Sequence, residues 1–536
     1  MNSAPDEILS QVCSHLQPDI PPKDAWENPH LPPPEEGPPV DLRSASLVCQ
    51  RFHDAARPFM YKTVSMTNDT VALANKERDY HDVMDAFLRT LISDPRLGLK
   101  VRHLRIDFWH TSMEITEMVR ELVNTKKDIN NAQQKLLTDW LANPPVHLED
   151  SVLLVTLILC PNLQSVDLRT YTSDPCFSVI FSGVRKIENS TFRPHREEII
   201  SSVHIHQLTI DVLEPTSGGQ ESSASDCSTA SPSNSCQEDT KSILPHLKEI
   251  RRRYAGKRAC GSISKFQDVL FHPNLEVLRL HGYTWTKYDL DCKALTNEIP
   301  IFLQVLQLQS CLVDDKGVNN ILSRCKGLRH LSITLPDISR VGFMDIPFNM
   351  NLEAMGKAVR LHGENLETFE LDTYDYGYFY IVKRPFGSLH TLTSLRHLRI
   401  SAGDVLDFRN LVVNGGQSQN PAPFSAPLKD SLPPNLESLY IVRTSNRVDL
   451  RDTQLLEGVR EILRYKPFAA LRKIEVEIPD GMLKDMSTPG WEMTSRLDQI
   501  YPDTRSAAGS ELRLARKVTV LVFDRREGAT KHSSGL

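Results

Sequence analysis

Long apolar runs are absent from this 536-residue chain. The best of them, VLLVTLILC at 152–160, reaches about half of the roughly 18 residues that a membrane span needs, so a buried helix is expected there and no membrane partner. The opening MNSAPDEIL lacks a basic stretch followed by an apolar core, which argues against a secretory signal and leads us to expect a cytoplasmic or nuclear protein. An excess of one charge is lacking as well. With 62 basic and 68 acidic residues the net charge is −6, too weak a field to call for nucleic acid as a partner. The 10 cysteines are scattered singly, which excludes a disulfide framework, and the closest pair, Cys227 and Cys236, has no companions at zinc-site spacing. Cys13, Cys49, Cys160, Cys311 and Cys325 fall at apolar positions and read as reduced, buried small hydrophobes. Catalytic signatures are missing too: there is no phosphate-cradling glycine loop, GxSxG elbow, HExxH or CxxC. No enzyme, cofactor, catalytic residue or metal site is therefore expected.

Proline is not lacking, and it is concentrated. Residues 17–40 hold nine of the 34 prolines and can form neither helix nor central strand. Before them, Ile8, Leu9, Val12 and Leu16 recur at helical spacing behind Pro5, with Asp6 and Glu7 complementing the helix dipole. After them, Asp41 is a plausible N-cap. Leu42, Ala45, Val48, Cys49, Phe52 and Ala55 continue a helical pattern that breaks near Leu47 and ends at Arg57-Pro58. The proline run reads as a long loop inside one small helical unit. Stretching a connection of about six residues to that length costs on the order of 1 kcal/mol of closure entropy.

From Val101 onward a short signature returns: apolar, two variable, apolar, one variable, apolar. Its ten copies open at Val101, Leu163, Ile205, Leu275, Leu303, Leu328, Leu366, Leu395, Leu436 and Leu471. The alternation closing each copy fits a short strand with its apolar side chains inward. A further helical pattern, with Ile115, Met118, Val119, Leu122, Leu136, Leu137, Trp140 and Leu141, fills the gap before Leu163. The serine-rich stretch at about 214–241 cannot bury enough apolar surface to order itself.

One copy with its remainder, LQVLQLQSCLVDDKGVNNILSRCKG from Leu303, resembles the cysteine-containing leucine-rich repeat. Leu303, Leu306 and Leu308 make the strand, Cys311 turns inward, Asp314 to Gly317 open a helix, and Val318, Ile321, Leu322 and Cys325 supply its buried face. The resemblance implies an α/β fold: an irregular solenoid with a curved parallel sheet and outer helices. The variable strand residues would line one face, and their alternating signs also allow neighbouring strands to pair with each other. From this face and the tyrosine-rich loop after Leu371, the candidate target-binding residues are Arg279, Glu370, Tyr376, Tyr378, His397, Arg399 and Tyr440.

PDEILSQVCSHL and DLRSASLVCQRF together resemble an F-box. F-box/leucine-rich-repeat proteins are substrate receptors of SCF ubiquitin ligases. The resemblance implies docking on the SCF adaptor subunit, and through it on cullin, by Pro5, Ile8, Leu9, Val12, Leu16, Leu47, Val48 and Phe52, with the repeats presenting an unknown protein target. The residues alone leave two occupants open for the apolar face of the small helical unit, the adaptor or the first repeat. A scaffold acting outside ubiquitination is the alternative function. The expected organisation is an F-box-like domain at 1–64, a helical linker at 65–100, repeats at 101–523 and a flexible tail at 524–536.

Overall fold

A computed structural model of the chain describes residues 6–15, 44, 46–66, 80–106, 115–125, 129–142, 148–170, 244–254, 261–263, 269–270, 272–286, 301–335, 351–373, 386–401, 428–442, 450–464, 468–478, 490–500 and 516–526. The chain divides into two compact units, Met1–Ser182 with Ser242–Leu536, and Gly183–Lys241. The second unit, the proline run, the copy at Ile205 and the tyrosine-rich loop all lie outside the described residues. Every described strand and helix belongs to the first unit.

Its strands are β1 (Thr63–Met66), β2 (His103–Ile106), β3 (Ser165–Thr170), β4 (Glu249–Tyr254), β5 (Gly261–Ser262), β6 (Val277–His281), β7 (Tyr283–Trp285), β8 (Val305–Gln309), β9 (Leu312–Val313), β10 (His330–Thr334), β11 (Thr368–Asp372), β12 (His397–Ser401), β13 (Ser438–Val442), β14 (Lys473–Ile478), β15 (Trp491–Ile500) and β16 (Arg516–Arg525). Its helices are α1 (Asp6–His15), α2 (Gln50–Met60), α3 (Tyr80–Ser93), α4 (Pro95–Gly98), α5 (Ile115–Thr125), α6 (Asn131–Ala142), α7 (Leu148–Leu159), α8 (Asp315–Arg324), α9 (Leu352–His362), α10 (Leu428–Ser431) and α11 (Leu450–Arg464). The fold is mixed α/β. Thirteen strands form one sheet in the order β1-β2-β3-β4-β6-β8-β10-β11-β12-β13-β14-β16-β15, parallel from β1 to β14 and antiparallel at the final pair. A second sheet, β5-β7-β9, is parallel and three-stranded.

The repeated signature explains the main sheet. Each of the nine described copies supplies one strand, β4 stands among them, and the register aligns the second apolar residue of each with Ile250 of β4 in one row: Leu104, Val166, Ile250, Leu278, Leu306, Leu331, Phe369, Leu398, Leu439 and Ile474. All ten are buried. Because side chains alternate across a strand, a slip of one residue would turn this ladder out and its polar neighbours in, so the pattern fixes the register. Helices between strands provide the crossovers that parallel pairing requires: α5, α6 and α7 between β2 and β3, α8 and α9 on either side of β10, and α11 between β13 and β14. Residues 152–160, the best apolar run, are buried throughout in and just after α7.

Four differences from the sequence reading have physical causes. The sheet begins at Thr63 instead of 101, because Tyr61, Val64 and Met66 already carry apolar spacing; β1 thus straddles the expected boundary at 64. β4, which no copy foretold because Arg252 stands at its third apolar position, pairs with β3 and β6, the strands of the copies at Leu163 and Leu275. Helix α2 runs past Pro58 to Met60, because the proline removes one backbone bond to the turn before it while the Tyr61 N–H still closes the helix end on the Arg57 carbonyl at 3.3 Å. Asp524 and Arg525, expected in a flexible tail, belong to β16.

Candidate functional site

Two surfaces contain the candidate residues. The first is the helix pair α1–α2. Along α1, Leu9 and Cys13 lie one turn apart and are buried, Cys13 packing against Ala56 with Ala55, Phe59 and Met60. Ile8 and Val12 form the adjacent stripe, and they stay 49% and 42% exposed. The turn before α2, closed by the Leu47 N–H donating to the Ser44 carbonyl at 3.1 Å, leaves Leu47 79% and Val48 62% exposed. Arg51 in the first turn of α2 meets Asp6 at the start of α1 at 2.5 Å, so Val48 and Ile8 stand three and two residues from one contact. Seven large hydrophobic side chains are exposed among the described residues, and four of them are these. Covering the part that each still exposes would contribute roughly 1–2 kcal/mol. Of the other residues assigned to this surface, Phe52 is half-buried, Leu9 faces inward, and Pro5 and Leu16 lie outside the described residues. An ion pair of Arg57 and Asp94 at 2.9 Å ties α2 to the turn before α4.

The second surface is the polar face of the main sheet. Register puts Arg105, Asp167, Arg251, Arg279, Gln307, Ser332, Glu370, Arg399, Tyr440 and Glu475 in one row across ten strands. Four of the sequence candidates, Arg279, Glu370, Arg399 and Tyr440, therefore share a row, with His397 two positions before Arg399 on the same face of β12. Glu370, Arg399 and Tyr440 occupy adjacent strands. Arg279 stands three strand spacings away from Glu370, about 14 Å at the usual inter-strand distance. Tyr376 and Tyr378 lie outside the described residues.

Around Arg399 the groups interlock. Its guanidinium lies 4.2 Å from the centre of the Tyr440 ring and 3.7 Å from Asp372, and the Tyr440 hydroxyl donates to the buried Glu477 carboxylate at 3.0 Å. Burial pushes the Tyr440 phenol well above its usual value, and the negative Glu477 adds to the shift. Burial alone would lower Arg399; Asp372, Tyr440, Glu477 and Glu370 outweigh it and hold the guanidinium charged. The three histidines of the repeated RHL each bond the next strand's hydroxyl: His103 to Ser165 at 2.8 Å, His330 to Thr368 at 2.9 Å and His397 to Ser438 at 2.8 Å. These residues do pair across strands, as their alternating chemistry allowed.

Sequence reading missed Arg251 and Arg253 on β4 and Arg169 on β3. Leu247 and Ile250 kept the first two apolar positions, and Pro245 two residues earlier matched the PNL that introduces other copies. The third position is Arg252, buried at 3% exposure with its guanidinium 5.4 Å from the Tyr283 ring centre, a packing that no apolar-residue search detects. Among the described residues no group of His, Cys, Asp and Glu is placed to hold a metal ion, and no helix is long and apolar enough to cross a membrane. No protein-family model and no curated protein matches the chain.

Proposed function

We propose that this chain is the substrate-recruiting subunit of an SCF-type ubiquitin ligase, with α1 and α2 acting as an F-box that docks on the adaptor subunit and, through it, on cullin. The main sheet would then be the ladder of a leucine-rich solenoid whose polar face holds a protein target. The observation that carries the reading is the exposed set Ile8, Val12, Leu47 and Val48, on a helix pair whose buried residues already satisfy its own packing. Exposed apolar side chains gathered on one element call for a partner. The β1 strand and the Arg57–Asp94 ion pair connect that element to the sheet and leave these four side chains uncovered by it. In this role the chain performs no bond chemistry; it holds a target near the ligase. Affinity purification at native expression, with and without proteasome inhibition, tests the proposal. The adaptor and cullin are expected in both samples and a target that accumulates under inhibition; a wild-type protein that recovers no adaptor overturns it.

A further inference from the structure

The polar face of the sheet is divided by charge. On β2, β3, β4 and β6 it carries Arg105, Arg169, Arg251, Arg253 and Arg279 against Asp167 and Glu249, a surplus of three positive charges among the described residues. On β11 to β14 it carries Glu370, Asp372, Glu475 and Glu477 against Arg399 and Lys473, a surplus of two negative charges. Two uncharged strands, β8 and β10, separate the halves, and β6 stands about 14 Å from β11, beyond the screening length of about 8 Å at physiological salt. Each half therefore presents its own field.

Within the basic half the arginines are held in place. Asp167 lies 3.7 Å from Arg105 and 3.3 Å from Arg253, and Glu249 lies 2.6 Å from Arg251 and 3.2 Å from Arg279. Each carboxylate bridges two guanidinium groups and fixes them side by side, with Arg251 and Arg279 directly paired across strands. Such an array, partly shielded from water, suits carboxylates presented by an incoming chain, because planar guanidinium groups form charge-assisted bonds to them.

We propose that this half of the face binds an acidic peptide segment of the target protein. The inference rests on the reading of the face as the target-holding surface. A short acidic segment fits the basic half alone. A uniform polyanion such as a nucleic acid, running on across the sheet, would meet the acidic half and be repelled.

Fluorescence anisotropy with the purified full-length chain tests this, using a labelled alternating glutamate–glycine peptide, its lysine–glycine counterpart and a single-stranded DNA of equal charge. The acidic peptide is expected to bind, to weaken as salt is raised, and to lose roughly tenfold or more in affinity when Arg251→Gln and Arg253→Gln are combined. Glu117→Gln, at an exposed position of α5 outside this face, should leave binding unchanged. The partly exposed Arg253→Lys, which keeps the charge but not the planar fork, should lose less than the double variant, and a wild-type urea midpoint in the double variant shows that its loss of binding is not a folding defect. No binding of the acidic peptide, equal binding by the double variant, or DNA bound as tightly as the peptide would each overturn the proposal. Adaptor recovery measured on the same preparations is independent: a chain that recovers adaptor but ignores the acidic peptide loses only this inference, and the converse result loses only the docking reading.

Discussion

Gly317 sits where a side chain has no room. A Cβ built there would lie 2.0 Å from the Trp285 carbonyl oxygen, which belongs to the backbone of β7 and cannot step aside. Gly458, inside α11, would meet only the Leu428 side chain at 3.5 Å, an ordinary contact. The two glycines should respond oppositely to the same change. Gly317→Ala is expected to cost about 1–3 kcal/mol through overpacking, and Gly458→Ala to gain up to about 1 kcal/mol from helix propensity; urea denaturation of the two variants measures both. Cys311 shows a second use of close packing. Its sulfur accepts from the Tyr283 N–H at 3.4 Å and donates to the Gln309 carbonyl at 3.2 Å, and burial pushes its thiol up to about 12, so it works as an inert bridge between neighbouring turns.

Helix α8 was legible in the sequence nearly residue by residue. Asp314 caps it, its carboxylate accepting from the Gly317 N–H at 2.7 Å, and Val318, Ile321 and Leu322 form its buried face. Asp314→Ala should cost on the order of 1 kcal/mol of stability, visible as a lowered urea midpoint with an unchanged slope. An unchanged midpoint would show that the cap contributes nothing. The strands were legible for the same reason: Leu306 and Leu308, like their counterparts, alternate with solvent-facing residues, and that period is a direct consequence of strand geometry. β4 was not, since recognising it requires knowing that Tyr283 comes to lie against Arg252, a contact between distant elements that local pattern does not encode. β15 and β16 were missed because β16 pairs antiparallel with β14 and β15 antiparallel with β16, outside the repeating register. On the helix pair, the apolar residues could be read from spacing, but which of them face outward could not: Ile8 and Leu9 are both candidates in sequence, and only the packing of α1 on α2 turns Leu9 in.

At the scale of the whole molecule, stability should depend on pH in a direction set by two histidines shielded from water, His272 and His103. His272, whose Nε2 meets the Leu244 carbonyl at 3.0 Å, and the half-buried His103 beside Ser165 both have their pKa lowered by burial; at His103 Lys62 and Arg102 add to the effect and Glu249 opposes it. A folded value below the unfolded one means that protonation favours the unfolded chain. The contribution is therefore complete above the ordinary histidine value of about 6.5 and is lost as pH falls below it toward the depressed folded values. Thermal unfolding followed across that range should show a falling midpoint on acidification, with a shallower fall in His272→Gln. A midpoint insensitive to pH in that range would contradict it.

The claim on which the functional account depends is that Ile8, Val12, Leu47 and Val48 form a docking surface. Titration of recombinant SCF adaptor into the purified full-length chain, followed calorimetrically, addresses it most directly. An equimolar complex is expected, which Ile8→Glu combined with Val48→Glu weakens by about 100-fold or more, since two lost apolar contacts of roughly 1–2 kcal/mol each add to the cost of covering two carboxylates, while Arg251→Gln leaves it intact. A wild-type chain that takes up no adaptor, or a doubly substituted one that binds as tightly as wild type, would contradict the claim.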